Sequence, residues 1–363
     1  MNEELTLDEF APWLVVFIAL IGGGIRVLLL DSKGMWLDET FSVWMADHSL
    51  AEMLQWIVKI DHHPPLYYVL LHFWIRHYGD TPYYARLLSV VFSMGTIPII
   101  YLIGKRMSGV VVGLAAASLL AFSPFNIRFA QEARMYTLLM FNAAVAIYAL
   151  VRLLTDLRAG QPLGSQFRAF IHAWRAFDAQ ETESSEGFSY RDKDVQPSRW
   201  QARIRRIPPV RIMETDLAWG ALIVFSAATM LSHNTAILFP VAINVFVLGL
   251  MLVQKPESGS AASFRAPALG NWLKAQLGIF LLWSPWLPAF VRQVNAVDQR
   301  FWLRAPSRDV VVEVFESFLN PALSYLEPNY AIGMWILYIA VLCLGLLYHR
   351  KTMSQFFFLM TLF

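Results

Sequence analysis

The chain has 363 residues, of which 57% are hydrophobic and only 15% are charged, and its mean hydropathy is +0.47. Soluble domains carry about a quarter charged residues, so this composition excludes an ordinary soluble protein and indicates a membrane protein. The net charge of +2 gives no reason to expect a nucleic acid partner, and the single cysteine, Cys343, excludes an intrachain disulfide or a cysteine-based metal cage.

Apolar segments that resemble membrane-spanning helices recur along the whole chain. A helix that crosses the hydrocarbon core needs about 20 mostly apolar residues. Eight segments come near this length: 12–30, 84–103, 110–125, 136–154, 217–231, 236–253, 272–290 and 332–348. A ninth begins near Gln355 and is still apolar at Phe363, so we expect further spans beyond this fragment. The acidic N-terminus predicts a retained first anchor, because signal peptides open with a basic region.

Lysines and arginines in the short connections predict the orientation, because cytoplasmic loops are rich in these residues. Such residues follow the second, fourth, sixth and eighth segments: Lys105, Arg106, Arg152, Arg158, Lys255, Arg350 and Lys351. This side is therefore predicted to be cytoplasmic. The connections 31–83, 126–135, 233–234 and 291–331 are then extracytoplasmic.

The first outside loop, residues 31–83, contains two predicted juxtamembrane helices. Ser49 and Glu52 form a capping box for a helix that runs to about residue 59. The run 63–79 is short and aromatic, and its polar residues share one helical face: Tyr68, His72 and Arg76. We interpret this run as a helix in the membrane interface with one polar stripe, because a further span here would break the charge pattern.

Two adjacent carboxylates, Asp38 and Glu39, follow the first span and Trp36. One hypothesis makes Asp38 a general base, with Glu39 orienting an acceptor or a cation. The alternative is structural: Asp38 caps the next helix, whose dipole favours acids in its first turn. Spacing alone favours the structural alternative.

Histidines are predicted at the same outer face. His62 and His63 follow Asp61 and precede two prolines. Adjacent histidines cannot easily bind one ion together, so they support a metal site only weakly, and either contact with a phosphate or plain interfacial polarity is an alternative. His233 lies in a tight outer turn, where a structural role is favoured.

The motif RFAQEARMY brings two arginines, a carboxylate and a tyrosine into one short outer loop: Arg128, Glu132, Arg134 and Tyr136. The arginine fork binds phosphate in two places at once, which suggests recognition of a lipid-linked phosphate. An Arg–Glu pair that only satisfies itself is the alternative. Residues 158–212 lack a sustained apolar period and are interpreted as a polar cytoplasmic insert.

Several motifs occur in a fixed order: WLDET, HPPLYYVLLHFW, ARLLSVVFSMGTIPIIYLIGKRM, SPFNIRFAQEARMYTLL, SHNTAILF and SPWLPAFVRQ. Together they closely resemble bacterial and archaeal membrane glycosyltransferases of family 39 type. Those proteins share the GT-C fold with protein O-mannosyltransferases and the lipid A aminoarabinose transferase. The resemblance covers most of residues 12–305. It implies an all-α polytopic membrane protein of GT-C fold, with about nine transmembrane helices within residues 1–363 and extracytoplasmic helices in a catalytic loop, residues 31–83.

The resemblance also implies a reaction and its residues. A sugar is transferred with inversion from a polyprenyl-phosphate donor to a lipid, glycan or protein acceptor, on the extracytoplasmic face of the plasma or inner membrane. The acid pair of the family corresponds to Asp38 and Glu39, with Asp38 in the position of the base. Contacts to the donor phosphate correspond to His63 and to the QEARMY loop, with these candidates: Arg128, Glu132, Arg134 and Tyr136.

Three further residues are candidates for the same site: Trp36, His62 and His233. Some relatives use a divalent metal and others do not. Asp38, Glu39 and His62 are the candidate ligands here, and the question of a metal stays open. No other cofactor is expected.

A transporter or flippase of a lipid-linked substrate is the alternative function. Such proteins show interrupted helices in matched halves and ionisable groups near the middle of the bilayer. In this chain the ionisable residues gather at one face and the halves do not match. The sequence therefore favours an enzyme.

Overall fold

Every regular element in the part of the chain that the structure describes is a helix. The computed structural model describes residues 7–28, 30–61, 63–155, 162–165, 168, 214–253, 264–300, 310 and 328–349. The helices in chain order are α1 (Leu7–Val27), α2 (Leu37–Asp47), α3 (Leu50–Ile60), α4 (Leu66–Tyr78), α5 (Pro82–Ser108), α6 (Val110–Ala121), α7 (Pro124–Ala130), α8 (Tyr136–Thr155), α9 (Glu214–Met230), α10 (Leu238–Val253), α11 (Leu269–Trp283), α12 (Leu287–Arg300) and α13 (Pro328–His349). Short 3₁₀ turns precede α10 and α12.

Four stretches are long and apolar enough to cross a membrane: α1, α5, α8 and the continuous stretch Asn234–Leu252. Helices α6 and α7 make a fifth if the pair, bent by 56°, is counted as one span. These helices make the chain a membrane protein, but the predicted count of about nine is not confirmed. The segments predicted at 217–231, 272–290 and 332–348 are largely helical, and the ninth segment lies outside the described residues.

Two prolines explain where predicted spans are interrupted. The segment predicted at 110–125 ends early, because Ser123 caps a new helix that starts at Pro124. The segment predicted at 272–290 is divided by a 3₁₀ turn that contains Pro285. Proline lacks the backbone N–H that continues a helix, so both breaks follow from the sequence. Residues 291–300 are also helical, so the predicted outer loop begins later than expected.

The bundle gathers the predicted cytoplasmic cations at one end. Lys105 lies 3.1 Å from Asp8 at the start of α1. Arg106 donates to Thr155 at the end of α8, and Arg152 pairs with Glu214 at the start of α9. The residues of the first loop lie at the opposite end, as the charge pattern predicted.

A buried arginine in α1 ties this helix to the break between α6 and α7. Arg26 is fully buried, and its nitrogens donate to five uncharged oxygens: Gly22 O, Ser93 Oγ, Leu120 O, Ala121 O and Asn126 Oδ1. The distances lie between 2.6 and 3.1 Å. Two of these acceptors are carbonyls at the end of α6, where the regular helical hydrogen bonds stop. The guanidinium therefore stabilises the bend that leads into α7.

The helices of the first loop form as predicted, but the polar face of α4 packs against the protein. Ser49 Oγ accepts from the amide of Glu52, whose carboxylate accepts in return, which confirms the capping box at the start of α3. The predicted polar stripe of α4 is wrong: Tyr68 and His72 are buried, and only Arg76 is exposed. Helix α2 packs on this face, where His72 Nδ1 lies 2.8 Å from the carbonyl of Ala46.

Most of the predicted polar insert, residues 158–212, lies outside the described residues. Of this stretch the structure describes 162–165 and 168. The amide of Leu163 donates to Asn271, and the amide of Gly164 donates to Asp216. This short piece is therefore anchored to α9 and α11.

Candidate active site

A buried ion pair holds the first loop against α5. Glu39 is 1% exposed, and its two oxygens each accept from Arg86, from Nε and Nη2 at 2.8 Å. The amide of Ala133 donates to the same carboxylate at 2.8 Å, and the amide of Trp36 at 3.3 Å. Nη1 of Arg86 donates to the loop carbonyls of Leu30 and Lys33, and Nη2 also donates to that of Gly34. One carboxylate thus joins α2, α5 and the QEARMY loop.

The pKa of Glu39 reflects this pairing. Burial by itself would raise the pKa, but the hydrogen bonds from Arg86 and Ala133, together with the charge of Arg86, lower it below its ordinary value. Glu39 therefore stays ionised, with its oxygens engaged by these donors. This geometry favours a positioning role for Glu39 next to Asp38.

Asp38 lies in the first turn of α2 and keeps an accessible carboxylate. The helix starts at Leu37 with Trp36 at the N-cap, so the expectation that Asp38 caps this helix is wrong. The Asp38 side chain is 42% exposed, and its Oδ2 lies 3.7 Å from Nη2 of Arg134. The carbonyl of Asp38 accepts from the hydroxyl of Ser42 at 2.8 Å. The backbone is thus fixed while the carboxylate stays accessible to solvent.

Arg134 is a buried cation beside this carboxylate. It is 3% exposed, and its Nη1 donates to Ser42 Oγ at 3.2 Å and to the Asp38 carbonyl at 3.4 Å. Its Nε has no hydrogen-bond partner within the described ranges. The hydroxyl of Tyr68 faces Arg134 and Asp61, and its pKa is raised well above the ordinary value by burial and by the charge of Asp61. Tyr68 is therefore neutral beside the guanidinium.

Two predicted histidines from distant loops meet at this end of the bundle. His63 Nδ1 lies 2.9 Å from Asp61 Oδ1, and the ring of His63 meets that of His233 edge to face, with centroids 5.2 Å apart. Nδ1 of His233 accepts from the amide of Thr235 at 3.2 Å and lies 2.8 Å from its hydroxyl, which leaves the proton on Nε2. Burial, then the nearby charges of His63 and Arg134, lower the pKa of His233 to about 4. His233 is therefore a neutral donor at physiological pH.

The geometry of the acid pair does not favour a metal ion at Asp38 and Glu39. Both oxygens of Glu39 are held by Arg86, which leaves no free pair of carboxylates. In the ranges that the structure describes, no group of three or more His, Cys, Asp or Glu side chains is arranged to hold an ion. His62, the third candidate ligand, lies outside those ranges.

A cleft of about 530 Å³ lies beside the Glu39–Arg86 ion pair. Its walls include the Glu39–Arg86 pair and six further side chains from the first loop, from α7, from the turn after α7 and from the start of α8: Trp36, Arg128, Phe129, Gln131, Glu132 and Tyr136. Arg128 is 69% exposed, and its Nε lies 3.6 Å from Glu132 Oε1. Arg134 is not among the described residues that line this cleft. The two arginines that the motif predicts as one phosphate site thus lie in different surroundings.

The ionised form of Glu132 is destabilised in this cleft. Burial raises its pKa, Arg128 opposes that rise, and the charge of Glu39 adds to it. A raised pKa in the folded protein means that ionised Glu132 reduces stability at pH values above it, and that this cost disappears as the pH falls below the unfolded value of about 4.3.

We therefore expect Glu132→Gln to raise the midpoint of thermal unfolding at pH 7, by about 1–3 °C. Arg128 is 69% exposed and its Nε lies 3.6 Å from the carboxylate, so this pair contributes little and its loss does not offset the gain. Thermal unfolding of both proteins in nanodiscs between pH 4 and 8 measures the effect. A gain that is the same at pH 4 and pH 7 would show that Glu132 carries no such cost.

Sequence reasoning missed two arginines on which the site depends. Arg86 and Arg26 both lie inside predicted spans, at 84–103 and 12–30. An ionisable residue inside a span is costly unless it is paired, so its presence alone marks it for attention. That signal was available from the sequence, whereas the identity of the partners was not.

Residues 62–166 match the family model of the dolichyl-phosphate-mannose-protein mannosyltransferases. The match includes the HPPLYY and QEARMY motifs, and with them His63, Arg86, Arg128 and Arg134. No curated protein and no solved structure matches the chain. The family match, together with helices apolar enough to span a membrane, confirms over residues 62–166 the predicted resemblance to membrane glycosyltransferases of the mannosyltransferase type.

Proposed function

We propose that this protein transfers a sugar from a polyprenyl-phosphate carrier to an acceptor on the extracytoplasmic face of the cell membrane. The observation that carries the proposal is the pairing of an accessible carboxylate, Asp38, with a buried guanidinium, Arg134, at 3.7 Å. Displacement of a lipid phosphate from an anomeric carbon needs a base for the acceptor hydroxyl and a cationic group for the leaving phosphate. This pair supplies both.

In the proposed reaction Asp38 accepts the proton of the acceptor hydroxyl. The oxygen then attacks the anomeric carbon from the face opposite the phosphate, and the carbon–oxygen bond to the phosphate breaks with both electrons leaving on the phosphate oxygen. The configuration inverts, and Asp38 passes its proton to water. The leaving phosphate is a stable anion, so it needs no strong general acid, and Arg134 stabilises its developing charge.

The histidines support the same donor site. Nδ1 of His63 donates to Asp61, and Nε2 of His63 can donate to the phosphate when the ring carries both protons. His233, neutral and held in one tautomer by Thr235, offers a second N–H without adding charge. Glu39 contributes indirectly, because its contacts with Arg86 and Ala133 fix the backbone on both sides of Asp38.

The proposed orientation follows from the distribution of charge. The end of the bundle opposite the site carries the lysine and arginines of the short connections, which is typical of the cytoplasmic side. Residues 31–83 then form the extracytoplasmic catalytic loop, and residues 158–212 form a cytoplasmic insert.

Arg134→Ala is expected to raise the apparent KM for the lipid donor by about 10- to 100-fold, since a hydrogen bond to a charged group contributes about 1.5–3 kcal/mol. The measurement is initial rate against donor concentration in proteoliposomes. Arg134→Lys keeps the charge but loses the planar fork of the guanidinium. Its donor KM is expected to lie between those of the unsubstituted protein and Arg134→Ala. Arg128→Ala is the control, because Arg128 faces the separate cleft. An unchanged donor KM in Arg134→Ala would remove the phosphate role.

The activity itself is tested by mass spectrometry of products. Proteoliposomes are incubated with a panel of polyprenyl-phosphate sugars, including mannose and aminoarabinose, and with bacterial envelope lipids and Ser/Thr-rich peptides as acceptors. The expected product is an acceptor heavier by one sugar residue, with the anomeric configuration inverted. A fluorescent donor lipid that crosses the bilayer unchanged, with no product for any donor, would instead indicate a flippase.

A further inference from the structure

The cleft beside the ion pair differs in its charges from the Asp38–Arg134 pair. Two of its cations are matched by carboxylates: Arg86 by Glu39 through two hydrogen bonds, and Arg128 by Glu132 at 3.6 Å. A third cation, Lys33, is exposed to solvent. Both guanidinium groups of the cleft are therefore already paired with carboxylates, and the charge of Lys33 is screened by solvent. The cleft thus attracts an anion only weakly and can take an uncharged ligand.

Aromatic rings give the cleft an apolar wall. The rings of Phe129 and Tyr136 meet edge to face with centroids 4.7 Å apart, and the guanidinium of Arg128 lies 5.9 Å from the centre of the Phe129 ring. Trp36 is 46% exposed although it lines the cleft. An exposed aromatic face packs well against the C–H face of a pyranose ring, while carboxylate and amide groups such as those of Glu132 and Gln131 bind its hydroxyls. The volume also falls in the range of roughly 300–1,000 Å³ that small-ligand sites occupy.

Asp38 does not line the cleft itself, but it is adjacent in sequence to residues that do. Its neighbours Trp36 and Glu39 line the cleft, and its own carboxylate faces Arg134. A ligand in the cleft and a phosphate at Arg134 would thus approach the base from two sides. We infer that the cleft is the subsite for the acceptor substrate and takes an uncharged pyranose. Trp36 stacks on the pyranose ring, and the carboxylate of Glu132 accepts a hydrogen bond from one of its hydroxyls. The assignment of the cleft to the acceptor rests on the proposed function. The binding of a pyranose in the cleft does not depend on that function.

Saturation-transfer NMR on the protein in nanodiscs tests the binding directly, with methyl α-mannoside as the probe and no donor lipid. We expect saturation of the ring C–H protons by the unsubstituted protein. Trp36→Ala is expected to weaken the affinity for the mannoside by about fivefold to tenfold, as loss of an aromatic contact does. Trp44→Ala is the matched control, because Trp44 is a 42% exposed tryptophan of α2, the helix that Trp36 precedes, and does not line the cleft. No saturation in the unsubstituted protein, or equal loss in both variants, would overturn the inference.

Two further arms separate the possible failures. If the mannoside binds through Trp36 but no donor supports transfer, the pyranose site stands and the proposed function falls. A Ser/Thr-rich peptide that saturates in a Trp36-dependent manner, where the mannoside does not, would overturn the pyranose assignment. With an active donor, Trp36→Ala should raise KM for the acceptor more than for the donor, and Arg134→Ala should do the reverse. The opposite pattern contradicts the assignment of the cleft to the acceptor.

Discussion

Asp38→Asn is expected to reduce sugar transfer by about 10²- to 10⁴-fold, the contribution that a positioned general base makes. Asparagine has nearly the same shape as aspartate but cannot accept the proton of the hydroxyl. The Ser42 and Arg134 contacts to the carbonyl of residue 38 do not involve the side chain, so the loop keeps its geometry. Single-turnover transfer in proteoliposomes, with the donor saturating, measures the loss in the chemical step.

The control for this variant is Asp47→Asn, on the same helix. Asp47 is exposed at the end of α2, where its charge does not face Arg134. Expression, thermal unfolding and donor binding should be close to normal in both variants, while only Asp38→Asn loses turnover. Turnover within about threefold of normal for Asp38→Asn would leave the base unassigned to this residue.

Arg86→Leu is expected to destabilise the protein by about 3–5 kcal/mol, the typical cost of breaking a buried ion pair from one side. The substitution leaves Glu39 with an uncompensated buried charge and removes the donor to three loop carbonyls: Leu30, Lys33 and Gly34. Chemical or thermal unfolding in detergent, followed by the loss of helical signal, measures the change. Arg106→Leu is the control, because Arg106 is exposed on the same helix.

A double variant distinguishes the ion pair from the packing around it. Glu39→Leu combined with Arg86→Leu removes both charges, so it should be less destabilised than Arg86→Leu alone. Transfer should still fail in the double variant, because the backbone on both sides of Asp38 loses its common anchor. A double variant that loses as much stability as the sum of its single variants would show that the two residues act independently.

The length of the apolar runs predicted where helices form. It predicted the number of membrane spans less well. The segments predicted at 12–30, 84–103 and 136–154 correspond to α1, α5 and α8, because a long apolar run has few alternatives to a helix in lipid. The predicted count depended on runs that Pro124 and Pro285 divide. A hydropathy profile averages over such breaks.

The candidate site was predictable as a list of residues, and the pairing within it was not. Glu39 and Arg86 are 47 residues apart, and helical periodicity carries no information about which side chains meet across a bundle. The direction of α4 was missed for the same reason, since Tyr68 is polar and yet faces α2 and Arg134. Arg128 and Arg134 share one motif, but α7 ends at Ala130 and the turn that follows separates them.

The contacts of Arg26 have a consequence for biosynthesis. Its acceptors outside α1 lie 67 to 100 residues further along the chain, on α5, α6 and α7. Arg26 lies in the last turn of α1, and none of those acceptors exists yet when α1 leaves the ribosome. A long side chain at a helix end can keep its charge in the aqueous interface, so the guanidinium of Arg26 can remain hydrated until the later helices arrive. Assembly of the membrane domain is thereby ordered, with α1 settling only after α7 has been made.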